Sequence, residues 1–139
     1  MSAIPRPLPS PDASTKFYWD AAKRHKLAIL RCKQCGTFIH PPRPMCRVCQ
    51  SSDLAPFEVS GRGKVYTFTK THYIYHPVFQ PKVPYVVALV ELDDDPAVRI
   101  VSNIVDCPAD QVRIGMPVEV TFEDVSSEVS LPQFKPIKQ

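Results

Sequence analysis

The sequence predicts a mainly β fold in three parts: an N-terminal helix, a small cysteine ribbon and a five-stranded barrel. Three observations carry that expectation. Cysteines stand as two C-x-x-C pairs, Cys32/Cys35 and Cys46/Cys49, with ten residues between the pairs. From Val65 onward, short segments rich in β-branched and aromatic residues alternate with turn residues. Ahead of the cysteines, "TKFYWDAAKRHK" spaces Phe17, Tyr18, Ala21 and Ala22 along one helical face, leaving Trp19 off the stripe.

At 139 residues, 44% hydrophobic and 22% charged, the chain has an ordinary globular composition. Its longest apolar run, "YVVALV", suits a buried strand and falls far short of the ~18 residues that cross a bilayer. The opening "MSAIPRPLPSPDAS" lacks the charged-then-apolar pattern of a signal peptide. The chain is therefore read as cytoplasmic. Disulfides do not persist there, so paired C-x-x-C motifs point to metal ligands. Cys107 has no cysteine nearby and is read as a partly buried, packing thiol.

The net charge of +3 is unevenly spread. Lys23, Arg24, Lys26, Arg31, Lys33, Arg43 and Arg47 lie between positions 21 and 52 with no acidic residue among them. Between positions 87 and 128, ten carboxylates face only Arg99 and Arg113. The basic end suits phosphates, nucleic acid or an acidic protein surface.

Element by element, Pro5, Pro7, Pro9 and Pro11 make the first dozen residues an extended arm. Ser14 or Thr15 is placed to cap a helix running to about Lys26. "LAILRC" is a short strand feeding the first cysteine pair, and "SSDLAPFEVS" alternates loosely after the second. "KVYTFTKTHYIY" is the first barrel strand, and "HPVFQPKVP" is a proline-broken loop. "YVVALVELD" and "AVRIVSNIV" are the second and third strands, and "CPADQVRIGM" holds a single helical turn. "PVEVTFEDV" alternates cleanly as the fourth, and "SLPQFKPIK" closes the chain as a proline-interrupted edge strand. Five strands with one helical turn between the third and fourth outline an OB-fold, although other small barrels share that count. The expected division is arm and helix over 1–26, ribbon over 27–58 and OB-fold barrel over 59–139.

Thiolate sulfur is among the best ligands for tetrahedral zinc, and a C-x-x-C turn aims two sulfurs at one point. Gly36 directly after Cys35 fits such a knuckle. Cys32, Cys35, Cys46 and Cys49 are thus the expected ligands of a structural Zn2+ in a rubredoxin-like zinc ribbon, and iron could use the same four sulfurs. Pro41, Pro42 and Pro44 forbid the helix of a thioredoxin-like site. His40 is superfluous once four sulfurs fill the shell. His72, near the end of the expected strand, and His76, at the start of the loop, share one face at a strand spacing of four, with no nucleophile or acid nearby. No phosphate loop, nucleophile elbow or carboxylate pair is present, so no activity is expected of the chain alone.

The order of these features resembles a known family. A helix with "FYWDAAKRHKLAILRC" leads into the ribbon. "VSGRGKVYTFTKTH", "PYVVALVELDD", "IGMPVEVTFED" and "LPQFKP" then follow in turn. This resembles the zinc-ribbon and OB-fold proteins known as DUF35 (domain of unknown function thirty-five), also described as acyl-CoA-associated proteins, across residues 17–136. Only "DDDPA" departs, where many members have a shorter turn. The resemblance implies a non-catalytic accessory subunit that assembles with a thiolase-superfamily enzyme. Such enzymes include thiolases, acyltransferases and retro-aldolases that shorten steroid side chains carried as CoA thioesters. It implies that the partner keeps the catalytic residues while this chain stabilises it and helps enclose acyl-CoA. The candidate contacts with CoA or the partner are Lys23, Arg24, Arg43 and Arg47, with Tyr75 and Phe79 of the long loop facing an acyl chain or partner surface. The competing reading is a single-stranded nucleic-acid module stacking bases on Tyr66, Phe68, Tyr73 and Tyr75. The acidic barrel and the commonness of aromatics in strand cores count against it.

Overall fold

The computed structural model describes residues 7–137. Pro5 of the expected arm lies outside them, and Pro7, Pro9 and Pro11 lie in a stretch without regular structure. Asp12 starts the helix: its Oδ1 accepts the Ser14 and Thr15 amides at 2.9 and 3.0 Å, while its own amide donates to Thr15 Oγ1 at 3.1 Å. Thr15 does hold the N-cap position, but its side chain makes no capping hydrogen bond into the helix; the Asp12 carboxylate instead gathers the amides of the turn before it, because one carboxylate can accept several amides at once.

Helix α1 (Lys16–Lys23) buries Ala21 and Ala22 and stops short of the expected Lys26. The amides of His25 and Lys26 fold back onto the carbonyls of Ala22 and Ala21, both at 2.9 Å. His25 takes φ +58°, the left-handed position that glycine usually fills at a helix end. Without a glycine to mark it, the stop is invisible in the apolar spacing.

Strand β1 (Ala28–Cys32) lies between β2 (Phe38–Ile39) and β3 (Leu54–Glu58), antiparallel to both. The ribbon serves two cores. Leu27, Ile29 and Phe38 pack in one cluster with the barrel interior, whereas Cys32, Ile39 and Cys46 form a small cluster of their own.

Five strands close the barrel: β4 (Arg62–Thr71), β5 (Tyr85–Leu92), β6 (Arg99–Ile104), β7 (Pro117–Asp124) and β8 (Ser130–Pro136), in the order β4-β5-β6-β8-β7. This is the expected OB-fold layout, and a 3-10 turn at Ala109–Gln111 supplies the helical turn between β6 and β7. Strand β5 alternates strictly: Val86, Ala88, Val90 and Leu92 point inward, while Tyr85, Val87, Leu89 and Glu91 are half-exposed. "YVVALV" is thus one wall of a barrel and not a strand buried on both faces.

Two barrel expectations change. Strand β8 is not an edge, because closure gives it neighbours on both sides: seven pairs with β7 and a parallel bridge, Ile104↔Phe134, with β6. So little pairing on the β6 side accommodates Pro132 and Pro136, which have no N–H to donate. Strand β4 ends at Thr71, so Tyr73 and Tyr75 lie beyond it, and His72 and His76 share no strand face. His76 instead caps a 3-10 turn (Pro77–Lys82) within the expected loop, its Nδ1 accepting the Val78 amide at 3.2 Å.

A clasp joins α1 to the barrel. The His25 ring stacks on Phe122 with centroids 5.2 Å apart, and its Nε2 lies 2.8 Å from Asp124 Oδ1. Asp124 Oδ1 also accepts the Ser130 hydroxyl. The Ser130 hydrogen bond, then His25, hold the Asp124 carboxyl below its ordinary value of 3.8. A depressed carboxyl contributes stability above that ordinary value and loses it as pH falls through the folded value. Asp124→Asn is expected to lower the Tm at pH 7, with the gap to the parent protein beginning to close only once the pH falls below the ordinary carboxyl value of 3.8, as read by melting curves from pH 7 to 3.

Among the described residues, no helix is long and apolar enough to cross a membrane.

Candidate metal centre and its surroundings

Two matching turns build the centre. In the first, the Cys32 amide donates to Thr37 O at 2.8 Å and the Gly36 amide to Cys32 O at 2.9 Å. In the second, Cys46 donates to Ser51 O at 2.8 Å and Gln50 to Cys46 O at 3.0 Å. Each turn needs a left-handed residue after its second cysteine. Gly36 provides φ +80° freely, while Gln50 takes φ +58° with a side chain in place. The Lys33 amide, bonded to Asp53 O at 2.9 Å, ties the two turns together.

The ligand atoms converge. All four Sγ atoms of Cys32, Cys35, Cys46 and Cys49 lie within 4.8 Å of one another. Cys32–Cys49 is 3.5 Å and Cys35–Cys46 is 3.6 Å, too long for disulfides. A tetrahedral ion with metal–sulfur bonds of about 2.3 Å has sulfur–sulfur edges of about 3.8 Å, so the donor set fits. The protons are unevenly held. Hydrogen bonds from the Thr37 hydroxyl, then its amide, draw Cys35 down to about 6. The amides of Cys49 and Val48 lower Cys46. The Ser51 amide is the strongest influence on Cys49 and lowers it, yet the Cys32 sulfur, then burial and the sulfurs of Cys35 and Cys46, push it up to about 12. Cys35 and Cys46 thus ionise more readily than Cys49, and a cation among the sulfurs would favour the thiolate of Cys49 as well.

Arg31 braces the first turn. Its Nε donates to Gly36 O at 3.1 Å, and its guanidinium lies 5.0 Å from the Phe38 ring centroid and 4.7 Å from that of Phe57. It thereby wedges the first turn against β3. His40 stands outside the sulfur cluster, and burial holds its pKa below the ordinary value. Trp19 meets Tyr18 edge-to-face at 5.1 Å and lines an apolar groove with Pro41 and Pro42.

The other candidate residues scatter. Lys23 and Arg24 are exposed at the end of α1, whereas Arg43 and Arg47 line a concavity on the ribbon with Met45 and Gln50. Tyr75 is exposed and meets Tyr73 at 4.7 Å, while Phe79 packs 5.7 Å from Tyr85 and lines a cavity at one end of the barrel. Of the four proposed stacking rings, Tyr66 lies 3.9 Å beneath the Arg99 guanidinium and Phe68 packs against the core. Tyr73 and Tyr75 lie beyond the strand, so the four form no common platform. Among the described residues, no second cluster of His, Cys, Asp or Glu gathers its ligand atoms this tightly. The sequence reading missed the Asp12 turn, the His25 clasp and Gln133. The Asp12-x-Ser-Thr spacing could have signalled the first, and no local pattern marks the other two.

Comparison with known proteins matches this architecture. The family profile described as "ChsH2, rubredoxin-like zinc ribbon domain" covers residues 19–55, and "ChsH2, C-terminal OB-fold domain" covers 57–123. A "DUF35 domain-containing scaffold protein" of Methanocaldococcus jannaschii is 37% identical over 107 residues, covering 76% of this chain and 74% of that one. The chain belongs to the DUF35 family. Within that family, it superposes on the solved "Ltp2-ChsH2(DUF35) aldolase" with a TM-score of 0.84 at 41% identity, covering 92% of this chain and 98% of that one. A protein of Thermomonospora curvata named "Probable enoyl-CoA hydratase alpha subunit" is 41% identical over 131 residues, 94% of this chain. This chain spans only 40% of that protein's length.

Proposed function

We propose that this chain is a non-catalytic accessory subunit of a thiolase-superfamily enzyme acting on acyl-CoA thioesters in the cytoplasm. In this reading the chain stabilises its partner and helps to enclose the CoA substrate. The observation that carries the proposal is the near full-length likeness to a chain of the solved "Ltp2-ChsH2(DUF35) aldolase". Two further names support it. The Thermomonospora curvata protein and the Mycobacterium tuberculosis "3-oxo-4,17-pregnadiene-20-carboxyl-CoA hydratase alpha subunit" both carry CoA in their names, and the second, of which this chain spans 36%, names a steroid-type acyl group. Hydration is named of those two longer proteins, and here they support only the acyl-CoA part of the reading.

In this proposal Cys32, Cys35, Cys46 and Cys49 hold one Zn2+ as a structural ion. Four sulfurs fill a tetrahedral shell and leave no position for substrate. Iron would use the same sulfurs, and elemental analysis separates the two. Lys23, Arg24, Arg43 and Arg47 meet CoA phosphates or an acidic partner surface, and Tyr75 and Phe79 meet the partner or the acyl chain. The proposed parts are 1–26, 27–58 and 59–139, the last two joined through the shared core around Ile29 and Phe38.

Affinity capture of the tagged chain from its host at moderate salt tests this. A stoichiometric thiolase-like subunit is the expected catch, and replacing Lys23, Arg24, Arg43 and Arg47 together by Gln is expected to weaken assembly or turnover at least tenfold. Nucleic acid lost with rising salt would favour the strand-binding reading instead.

A further inference from the structure

A cavity of about 400 Å³ opens at the end of the barrel where its closure is thinnest. Strands β6 and β8 meet there through the single bridge Ile104↔Phe134. On either side of that bridge stand two carboxamides lining the cavity, Asn103 on β6 and Gln133 on β8. Asn103 Nδ2 donates to Val86 O at 2.9 Å, which fixes the side chain and leaves its Oδ1 available as an acceptor.

Gln133 is the unusual member. It is 7% exposed, yet its carboxamide has no hydrogen-bond partner among the described residues. Every fully inaccessible polar side-chain atom among those residues is bonded, so the carboxamide must open onto the cavity. An amide that faces a cavity from a nearly buried position is placed to pair with whatever occupies it. The walls around the two amides are apolar, formed by Phe79, Tyr85, Val86 and Ile104. At the rim, Lys82 stands with Asp106 and Glu123, so the described lining offers no surplus cation for a phosphate. An apolar pocket of this size with a few convergent polar groups suits an uncharged chain that carries amides of its own.

Resting on the accessory-subunit reading, we infer that this cavity binds the pantetheine arm of the CoA thioester, with Gln133 and Asn103 pairing to its amides. The arm is a flexible aliphatic chain interrupted by two secondary amides, each with one donor and one acceptor. Gln133 can answer both, and Asn103 Oδ1 can accept from one. The phosphates would remain outside the cavity.

Cys107 also lines the cavity and is partly exposed, which provides a readout independent of turnover. The probe is N-butylpantothenamide, which has both amides of the arm and no thiol. Titrated into the metal-loaded full chain, it is expected to slow iodoacetamide alkylation of Cys107 at least fivefold at saturation. Gln133→Leu is expected to raise the Kd about tenfold, as loss of hydrogen bonds to a buried amide implies. Asn103→Ala serves as a second variant should Gln133→Leu fold poorly, judged by Tm and metal content. Absence of protection in the parent chain, or equal protection and affinity in both well-folded variants, overturns the inference. Protection by a partner-derived peptide but not by the pantothenamide overturns it in favour of a polypeptide occupant. Partner capture is scored separately. Capture without probe binding defeats the pantetheine site alone, and probe binding without capture defeats the accessory-subunit reading alone.

Discussion

Cys46→Ser is expected to release the metal and melt the ribbon. Cys46 is fully buried beside Cys32 and Ile39 in a cluster too small to hold three short strands without help. Serine keeps the size but removes the thiolate, so a soft cation loses a quarter of its shell. Structural zinc in comparable modules supplies about 10–16 kcal/mol of apparent binding free energy, as large as the stability of a typical domain. The damage should also spread, because Leu27, Ile29 and Phe38 on the ribbon side belong to the barrel's own core cluster. Chelation of the parent protein should reproduce the variant. Cys107→Ser, outside the sulfur cluster, should leave metal content unchanged. Elemental analysis with thermal melting decides: full metal content and an unchanged Tm in Cys46→Ser would remove the structural role.

Phe134→Ala should be the most damaging single change in the barrel. Its side chain is fully buried, and its residue forms the β6–β8 bridge while its carbonyl accepts the Val105 amide at 2.8 Å. Removing a buried phenyl ring costs about 3–5 kcal/mol through lost transfer energy and the cavity left behind. For a chain of this length that lowers the Tm by roughly 10–20 °C. Urea unfolding provides the check, with the midpoint falling and the m-value nearly unchanged. A cost below about 1 kcal/mol would mean that the seam collapses around the gap, contrary to the close packing of protein cores.

The readable parts of this fold are those whose cause is local. Two C-x-x-C turns specify their own geometry, so the four sulfurs meet where the spacing places them. "PVEVTFEDV" alternates as a strand should, and β7 forms across it, although Val118 alone of its alternating apolar residues is buried. What escaped the sequence depends on distant partners or on unmarked backbone choices. Helix α1 ends on a histidine in the left-handed region, a position that composition does not announce. The β-rich "HYIY" leaves the sheet because β4 has no ladder beyond Tyr85, its partner at Thr71. "SLPQFKPIK" has the prolines of an edge, yet closure against β6 makes it interior. Gln133 acquires meaning only once Asn103 and the apolar wall arrive from other strands.

The most direct test of the central claim is acyl-CoA turnover by the captured partner enzyme, assayed with and without this chain, and by this chain alone. The expected result is no turnover by the chain alone, and a partner whose activity or stability falls at least tenfold when the metal-loaded chain is withheld. Turnover by the isolated chain, or a partner indifferent to its presence, would contradict the accessory role.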